Sequence, residues 1–261
     1  MVRLNINRKR SGVPVLSRKQ IDDLGERLVY DFCPDAMVNP QPLDVDLFAQ
    51  NYLGMEQDYQ YLSHCGVYLG MTVFSDTNKV VVFNPDKNEA EYISAKAGTI
   101  IIDNTLLESN QEHRYRFTMG HEAAGHGVLH GPYFSYDRNQ LSLFDSSEVA
   151  MIQCRTDSSK VGQKDRKFWD DHDWMEWQAN HLSAAVLMPK TPIIQMAKYH
   201  GDKLKYPPSM GMFIAQVSAV FDVSIQAATN RLKDLGYIKT NDTTDYSYAS
   251  AIMDFAGVVG S

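Results

Sequence analysis

Cysteine is scarce in this chain, with only Cys33, Cys65 and Cys154 among 261 residues. Three widely separated thiols exclude a disulfide framework and match no cysteine metal-site spacing, so reduced structural thiols are expected. Long apolar runs are also lacking: no stretch approaches the roughly 20 apolar residues of a membrane-spanning helix. The basic start, with Arg3, Arg8, Lys9, Arg10, Arg18 and Lys19 all preceding the first acidic residue, is not followed by a signal-peptide core. A cytoplasmic protein without a membrane partner is the expectation. Excess positive charge is missing as well, since 25 Lys and Arg against 32 Asp and Glu leave a net charge of −7. That balance argues against a whole-protein electrostatic grip on nucleic acid or on an anionic membrane. The basic N-terminal residues are the exception, and they read as a solvated arm over residues 1–20.

What is present is an ordinary globular composition, 44% hydrophobic, long enough for a sizeable core. Ser17 to Phe32 predicts a helix with Ile21, Leu24, Leu28 and Phe32 on one face. A short helix is expected over Asp44 to Tyr52. Val67 to Phe74, Lys79 to Asn84 and Gly98 to Asp103 read as strands of one small sheet, with a fourth candidate at Glu148 to Cys154. Ser109-Asn110-Gln111-Glu112 has the form of a capping box that opens a helix ended by Gly131-Pro132. A second long helix is expected from Trp174 to Met188, stopped by Pro189. Pro192 to His200, Ser209 to Phe221 and Ser224 to Leu235 follow, the last two with the outline of a helix-turn-helix.

The chemistry concentrates in His121-Glu122-Ala123-Ala124-Gly125-His126. Two histidines four apart on a helix diverge by roughly 40° and can hold one metal, as in H-E-x-x-H. Five apart, they diverge by about 140°. His121 and His126 therefore share an ion only if the helix takes up the extra residue as a π-bulge, which Gly125 would make cheap. A rival pair, His126 and His130, has regular spacing, with Glu122 four residues before His126. It places Gly127 after its first histidine, where a general base would be needed, and the bulged pair is preferred. A zinc peptidase needs a third protein ligand and a carboxylate that deprotonates water. Glu122 supplies the carboxylate. Glu176 is the leading third ligand, with Asp171, His172 and Asp173 as competitors.

Arg116-Phe117-Thr118-Met119-Gly120-His121-Glu122, with Gly125-His126 and Leu129-His130, is followed some fifty positions later by Glu176-Trp177-Gln178-Ala179-Asn180 and Ala184 to Pro189. This two-part pattern resembles the ImmA/IrrE family of metallopeptidases over roughly residues 65 to 240. The resemblance implies an α+β, zincin-like fold with a small sheet of three to four strands and a helical, helix-turn-helix-like C-terminal segment. It also implies zinc held by His121, His126 and Glu176, with Glu122 as catalytic base, and a regulatory protein such as a transcriptional repressor as substrate. The family pattern reads H-E-x-G-H, so this chain departs from it by one residue inside the catalytic helix. Its spacing is similar to the H-E-x-x-x-H of dipeptidyl peptidase III over six residues.

The expected organisation is a basic arm over 1–20, a peptidase-like domain over 21–190, a helix-turn-helix-like segment over 191–240 and a tail over 241–261. A zinc-dependent endopeptidase is the leading expectation. Tyr133, Tyr136, His172 and His181 are unranked candidates for oxyanion stabilisation. The alternative is a catalytically inactive, peptidase-like regulator that binds a repressor or DNA, its ground being the inserted residue. For DNA, Arg231 and Lys233 on the last helix are the side chains that would enter a groove, diluted by Asp222 and Asp234.

Overall fold

The structure is a computed structural model that describes residues 6–131, the backbone of 151–155, and residues 166–239, 241–242 and 244–252. It divides into two compact units, Met1–Ser17 with Asp44–Ser183, and Arg18–Leu43 with Ala184–Ser261. The limits expected at residues 20, 190 and 240 do not coincide with these. The helix after the N-terminal segment shares its contacts with the C-terminal helices, and chain order does not carry that information.

The first unit is built on a four-stranded sheet in the order β1-β5-β2-β6. Its strands are β1 (Glu56–Gln60), β2 (Tyr68–Val73), β5 (Thr99–Asp103) and β6 (Met151–Arg155). β1 runs parallel to β5, while β2 is antiparallel to both β5 and β6. β3 (Thr77–Asn84) does not join this sheet as expected. It pairs with β4 (Glu89–Ala95) as a separate two-stranded hairpin. Side chains alternate along β2, and both faces are covered. Met71 and Val73 form a core with Val80 and Val82 of the hairpin and with Ile101. Gly70 and Thr72 occupy the other face, toward the histidine segment. β1 has no sequence signature of a strand because its side chains are polar and largely accessible; its pairing to β5 is a backbone property.

Helical segments complete this unit. Asp44 caps the short α2 (Val45–Leu47) by accepting from the Leu47 amide at 2.9 Å, and the chain continues as a π turn over Phe48–Tyr52. α3 spans Glu112–Gly120. Its expected capping box does not form: the N-cap is Gln111, whose side chain accepts no cap hydrogen bond, while Asn110 takes a left-handed φ of 68° that breaks the required helix approach. A ten-residue π-helix, His121–His130, follows directly. α4 (Asp171–Leu187) begins three residues earlier than expected, with Asp171 and Asp173 in the first turn where carboxylates favour the helix dipole. Residues up to Ser183 belong to this unit.

Over its described part the basic arm keeps Arg8 and Arg10 exposed, yet it is held against this unit. Arg8 and Pro14 form an antiparallel bridge, and Val13 is fully buried with Met175. Lys9 pairs with Asp171 at 2.9 Å and stands over the Trp174 ring. One apolar contact, one cation–π contact and one ion pair thus hold this segment in place.

In the second unit, α1 (Arg18–Phe32) buries Ile21, Leu24, Leu28 and Val29. A Cβ on Gly25 would lie 2.6 Å from that of Ala185, so glycine permits the close approach there. α5 (Lys190–His200), α6 (Pro207–Phe221) and α7 (Ile225–Asp234) follow. α6 and α7 cross at 110°. Asp222 adopts the left-handed φ of 50° that ends α6, and Ser224 caps α7 by accepting from the Ala227 amide at 3.1 Å. Arg231 does not face solvent as groove entry would require. It is buried, donating to Asp22 at 2.5 Å and to the Met188 carbonyl at 3.0 Å. No single helix among the described residues is long and apolar enough to cross a membrane. Cys33 and Cys65 are free thiols.

Candidate metal centre

The regular helix that should separate His121 from His126 is replaced by π turns across the whole motif. At about 4.4 residues per turn, the wider winding implied by i to i+5 bonding returns a residue five positions on to nearly the same face. The Nε2 atoms of His121 and His126 consequently stand 3.0 Å apart. Small residues make this possible. Ala123 and Ala124 are fully buried, and a Cβ on Gly125 would lie 2.5 Å from the Cβ and 2.6 Å from the Cα of Ala179. Gly125 is therefore required by the contact between the π-helix and the α4 backbone, a reason beyond the conformational freedom that the sequence suggests.

α4 brings Glu176 to the two rings. Its Oε1 lies 3.2 Å from His126 Nε2 and its Oε2 3.5 Å from His121 Nε2. His121, His126 and Glu176 form a buried set whose ligand atoms all lie within 4.8 Å of one another. Two of the expected competitors are engaged elsewhere: Asp171 pairs with Lys9, and Asp173 exchanges hydrogen bonds with Asp170 at the start of the helix. His172 stands at the rim, its side chain 58% exposed and its Nε2 4.0 Å from Glu176 Oε1.

The donor set fits a small divalent cation. Bonds of roughly 2.0–2.1 Å in a tetrahedral shell put neighbouring donors about 3.3 Å apart, close to the spacings above. Burial drives His121 down to about 4 and His126 to about 3 from the ordinary 6.5, so both rings are neutral near neutral pH. His121 Nδ1 faces the Asn180 Oδ1 acceptor at 3.0 Å, which puts its proton on Nδ1 and leaves a lone pair on Nε2. Glu176 Oε2 is buried with no hydrogen-bond partner. A lone pair and an orphaned carboxylate oxygen facing one another in a dry site call for a positive charge between them.

Glu122 projects from the same π-helix toward β2. Its Oε2 accepts from the Thr72 hydroxyl at 2.5 Å, and its Oε1 is buried without a hydrogen-bond partner. Burial pushes this carboxyl well above its ordinary range, partly opposed by Thr72 and reinforced by Glu176. Raised in this way, its carboxylate form is a stronger base than that of an exposed glutamate. Gly70 makes room for it: a Cβ there would lie 2.8 Å from both Cγ and Oε1 of Glu122.

His130 belongs to a different role from the one its spacing suggests. Its Nδ1 meets His126 Nδ1 at 2.9 Å and its Nε2 meets Gln178 Oε1 at 3.1 Å, so it turns away from the donor cluster and supports it from behind. Of the oxyanion candidates, His181 contacts the Trp177 carbonyl through Nδ1 at 2.8 Å, His172 lies at the rim, and Tyr133 and Tyr136 fall outside the described residues. Thr72, Gly70 and Pro14 escaped the sequence reading, since nothing local marks them, and Gln178 stood in the two-part pattern without a role of its own. Asn180 carried a signal: it lies four residues after Glu176 and so shares its helical face.

The cluster, the raised carboxyl and the sequence pattern are joined by a family match. Residues 148–233 match the Peptidase_M78 family model, described as the IrrE N-terminal-like domain, a shorter span than the 65 to 240 expected. The match includes Glu176 and Asn180 and begins beyond the histidine segment, where the extra residue lies. No curated protein matches the chain. Over residues 148–233 the chain is similar to the IrrE N-terminal-like domain of the Peptidase_M78 family.

Proposed function

We propose that this protein is a cytoplasmic, zinc-dependent endopeptidase that cuts a regulatory protein, a transcriptional repressor being the substrate class suggested by the ImmA/IrrE resemblance. The observation that supports it most is the convergence of His121 Nε2, His126 Nε2 and Glu176 within 4.8 Å despite the inserted residue. Those three side chains would hold the ion. Bound there, zinc supplies Lewis-acid polarisation of the scissile carbonyl. Glu122 accepts a proton from the attacking water as its oxygen bonds to the carbonyl carbon. The same carboxyl then delivers that proton to the leaving nitrogen as the C–N bond breaks. Thr72 holds one carboxyl oxygen still and leaves the other for this transfer.

The inserted residue was the ground for an inactive, binding-only protein. Absorbed into the π-helix, it no longer separates the histidines. The α6–α7 pair is bent by 110° at a short break. We assign it a packing role, since Arg231 is buried against Asp22. The test is to incubate host lysate with zinc-loaded wild type or Glu122→Gln and to map new protein N-termini. Termini produced by the wild type, abolished by chelator and absent with Glu122→Gln are expected. Identical terminal profiles for the two proteins would overturn the proposal.

A further inference from the structure

The cluster is tied to the N-terminal segment by an unbroken line of buried hydrogen bonds. The Pro14 carbonyl accepts from Gln178 Nε2 at 2.6 Å. Gln178 Oε1 lies 3.1 Å from His130 Nε2, His130 Nδ1 lies 2.9 Å from His126 Nδ1, and His126 Nε2 faces Glu176. All four side chains are at most 2% exposed.

The direction of each bond follows from the first. A carbonyl oxygen only accepts, so the amide nitrogen of Gln178 must face Pro14 and its oxygen must face His130. His130 Nε2 therefore carries a hydrogen. His130 is fully buried with neutral partners at both ring nitrogens, so it is the neutral ring, and its Nδ1 holds a lone pair. His126 Nδ1 must donate to it. His126 Nε2 is then left bare, pointing at Glu176 and at the equally bare Nε2 of His121.

We infer that residues 6–16 are part of the metal centre: through Gln178 and His130, the Pro14 carbonyl locks His126 in the Nδ1–H tautomer, with its Nε2 lone pair offered to the ion. His130 and Gln178 are thus positioning residues. The inference rests on the reading of His121, His126 and Glu176 as metal ligands. The segment is anchored for this task at both ends of its turn, by the Arg8–Pro14 bridge, by Lys9 against Asp171 and by Val13 against Met175. Outer partners that fix a histidine ligand typically change metal affinity by about 10- to 100-fold when lost.

The experiment uses the full chain and zinc ion alone as probe. Long-range 1H–15N spectra of the metal-free protein report which imidazole nitrogen carries hydrogen, and competition with a chromophoric chelator reports zinc affinity. Gln178→Met removes the acceptor facing His130, whereas Gln178→Glu retains that acceptor and loses the donor to the Pro14 carbonyl; thermal denaturation verifies that each variant folds. The expected result is an Nδ1–H signature for His126 in the wild type that is lost in Gln178→Glu, whose carboxylate cannot donate to the Pro14 carbonyl; its retention there would overturn the part assigned to Pro14. Gln178→Met should show mixed tautomers and zinc binding weakened about 10- to 100-fold. An Nε2–H signature for His126 in the wild type, or a Gln178→Met variant that is folded and binds zinc within twofold of the wild type, would overturn the relay while leaving the metal centre intact. A wild type with the Nδ1–H signature that takes up no zinc would instead overturn the metal-centre reading, and the relay's role with it.

Discussion

His121 Nε2 and His126 Nε2 lie 3.0 Å apart although the residues are separated by five positions, because the segment between them is wound as a π-helix. The winding is held by the contact of Gly125 with the Ala179 backbone. Gly125→Ala would put a Cβ 2.6 Å from Ala179 Cα, a distance that forces the two ligand-bearing helices apart. Destabilisation of roughly 1–3 kcal/mol is expected, with loss of bound zinc. Thermal denaturation and metal content per chain measure the two effects, and retention of full zinc content would show that Gly125 is dispensable.

Gly70→Ala tests the base without touching a ligand. The new Cβ would collide with Cγ and Oε1 of Glu122 at 2.8 Å. Zinc content should persist while turnover falls by about 100-fold or more, the usual contribution of a positioned general base. Unchanged turnover on the substrate found by N-terminal mapping would refute the assigned position of Glu122.

Glu122→Gln should also raise the stability of the metal-free protein at neutral pH. The folded carboxyl titrates well above its ordinary value because it is buried. Its contribution to stability is therefore present at low pH and lost as pH rises toward the folded value. Glutamine removes that cost, so the melting temperature of the variant should exceed that of the wild type at pH 8 and the two should approach one another near pH 4. A variant less stable at pH 8 would contradict the burial argument.

The buried imidazoles give the opposite slope on the acid side. His121 and His126 are pushed by burial from 6.5 to about 4 and about 3. The unfolded chain binds protons first, so the metal-free protein is expected to lose stability as pH falls from 6.5 to between 4 and 3. Urea unfolding at half-unit pH intervals checks this. Substituting either histidine by Gln should flatten the slope in that window, and an undiminished slope in the double substitution would assign acid sensitivity elsewhere.

Arg231 and Asp22 provide a test in the second unit. With side-chain exposures of 2% and 13%, the pair is largely withdrawn from water. Arg231→Met leaves Asp22 without its cation and should cost about 3–5 kcal/mol. Adding Asp22→Asn should recover much of the loss. A gel shift that depends on Arg231 in a stably folded variant would argue instead for contact with DNA.

Local interactions determined what the sequence by itself made legible. α1, α5, α6 and α7 lie where apolar spacing, prolines and the Ser224 cap put them, since helices form from bonds within a few residues. β2 and β5 were visible because buried strands are continuous apolar runs. His121, Glu122, His126 and Glu176 were singled out by residue type and pattern, and the need for a π distortion followed from helix geometry. Only the tertiary structure decided what that distortion looked like: ten residues of π-helix, held by a glycine against a neighbouring backbone. It also turned His130 from a rival ligand into the support of His126, placed β3 with β4 outside the sheet, and buried Arg231. Each of these depends on a partner far along the chain, from Pro14 to Gln178 and from Asp22 to Arg231. Spacing along one segment states which side chains share a face; which atoms meet that face is settled only when distant segments pack.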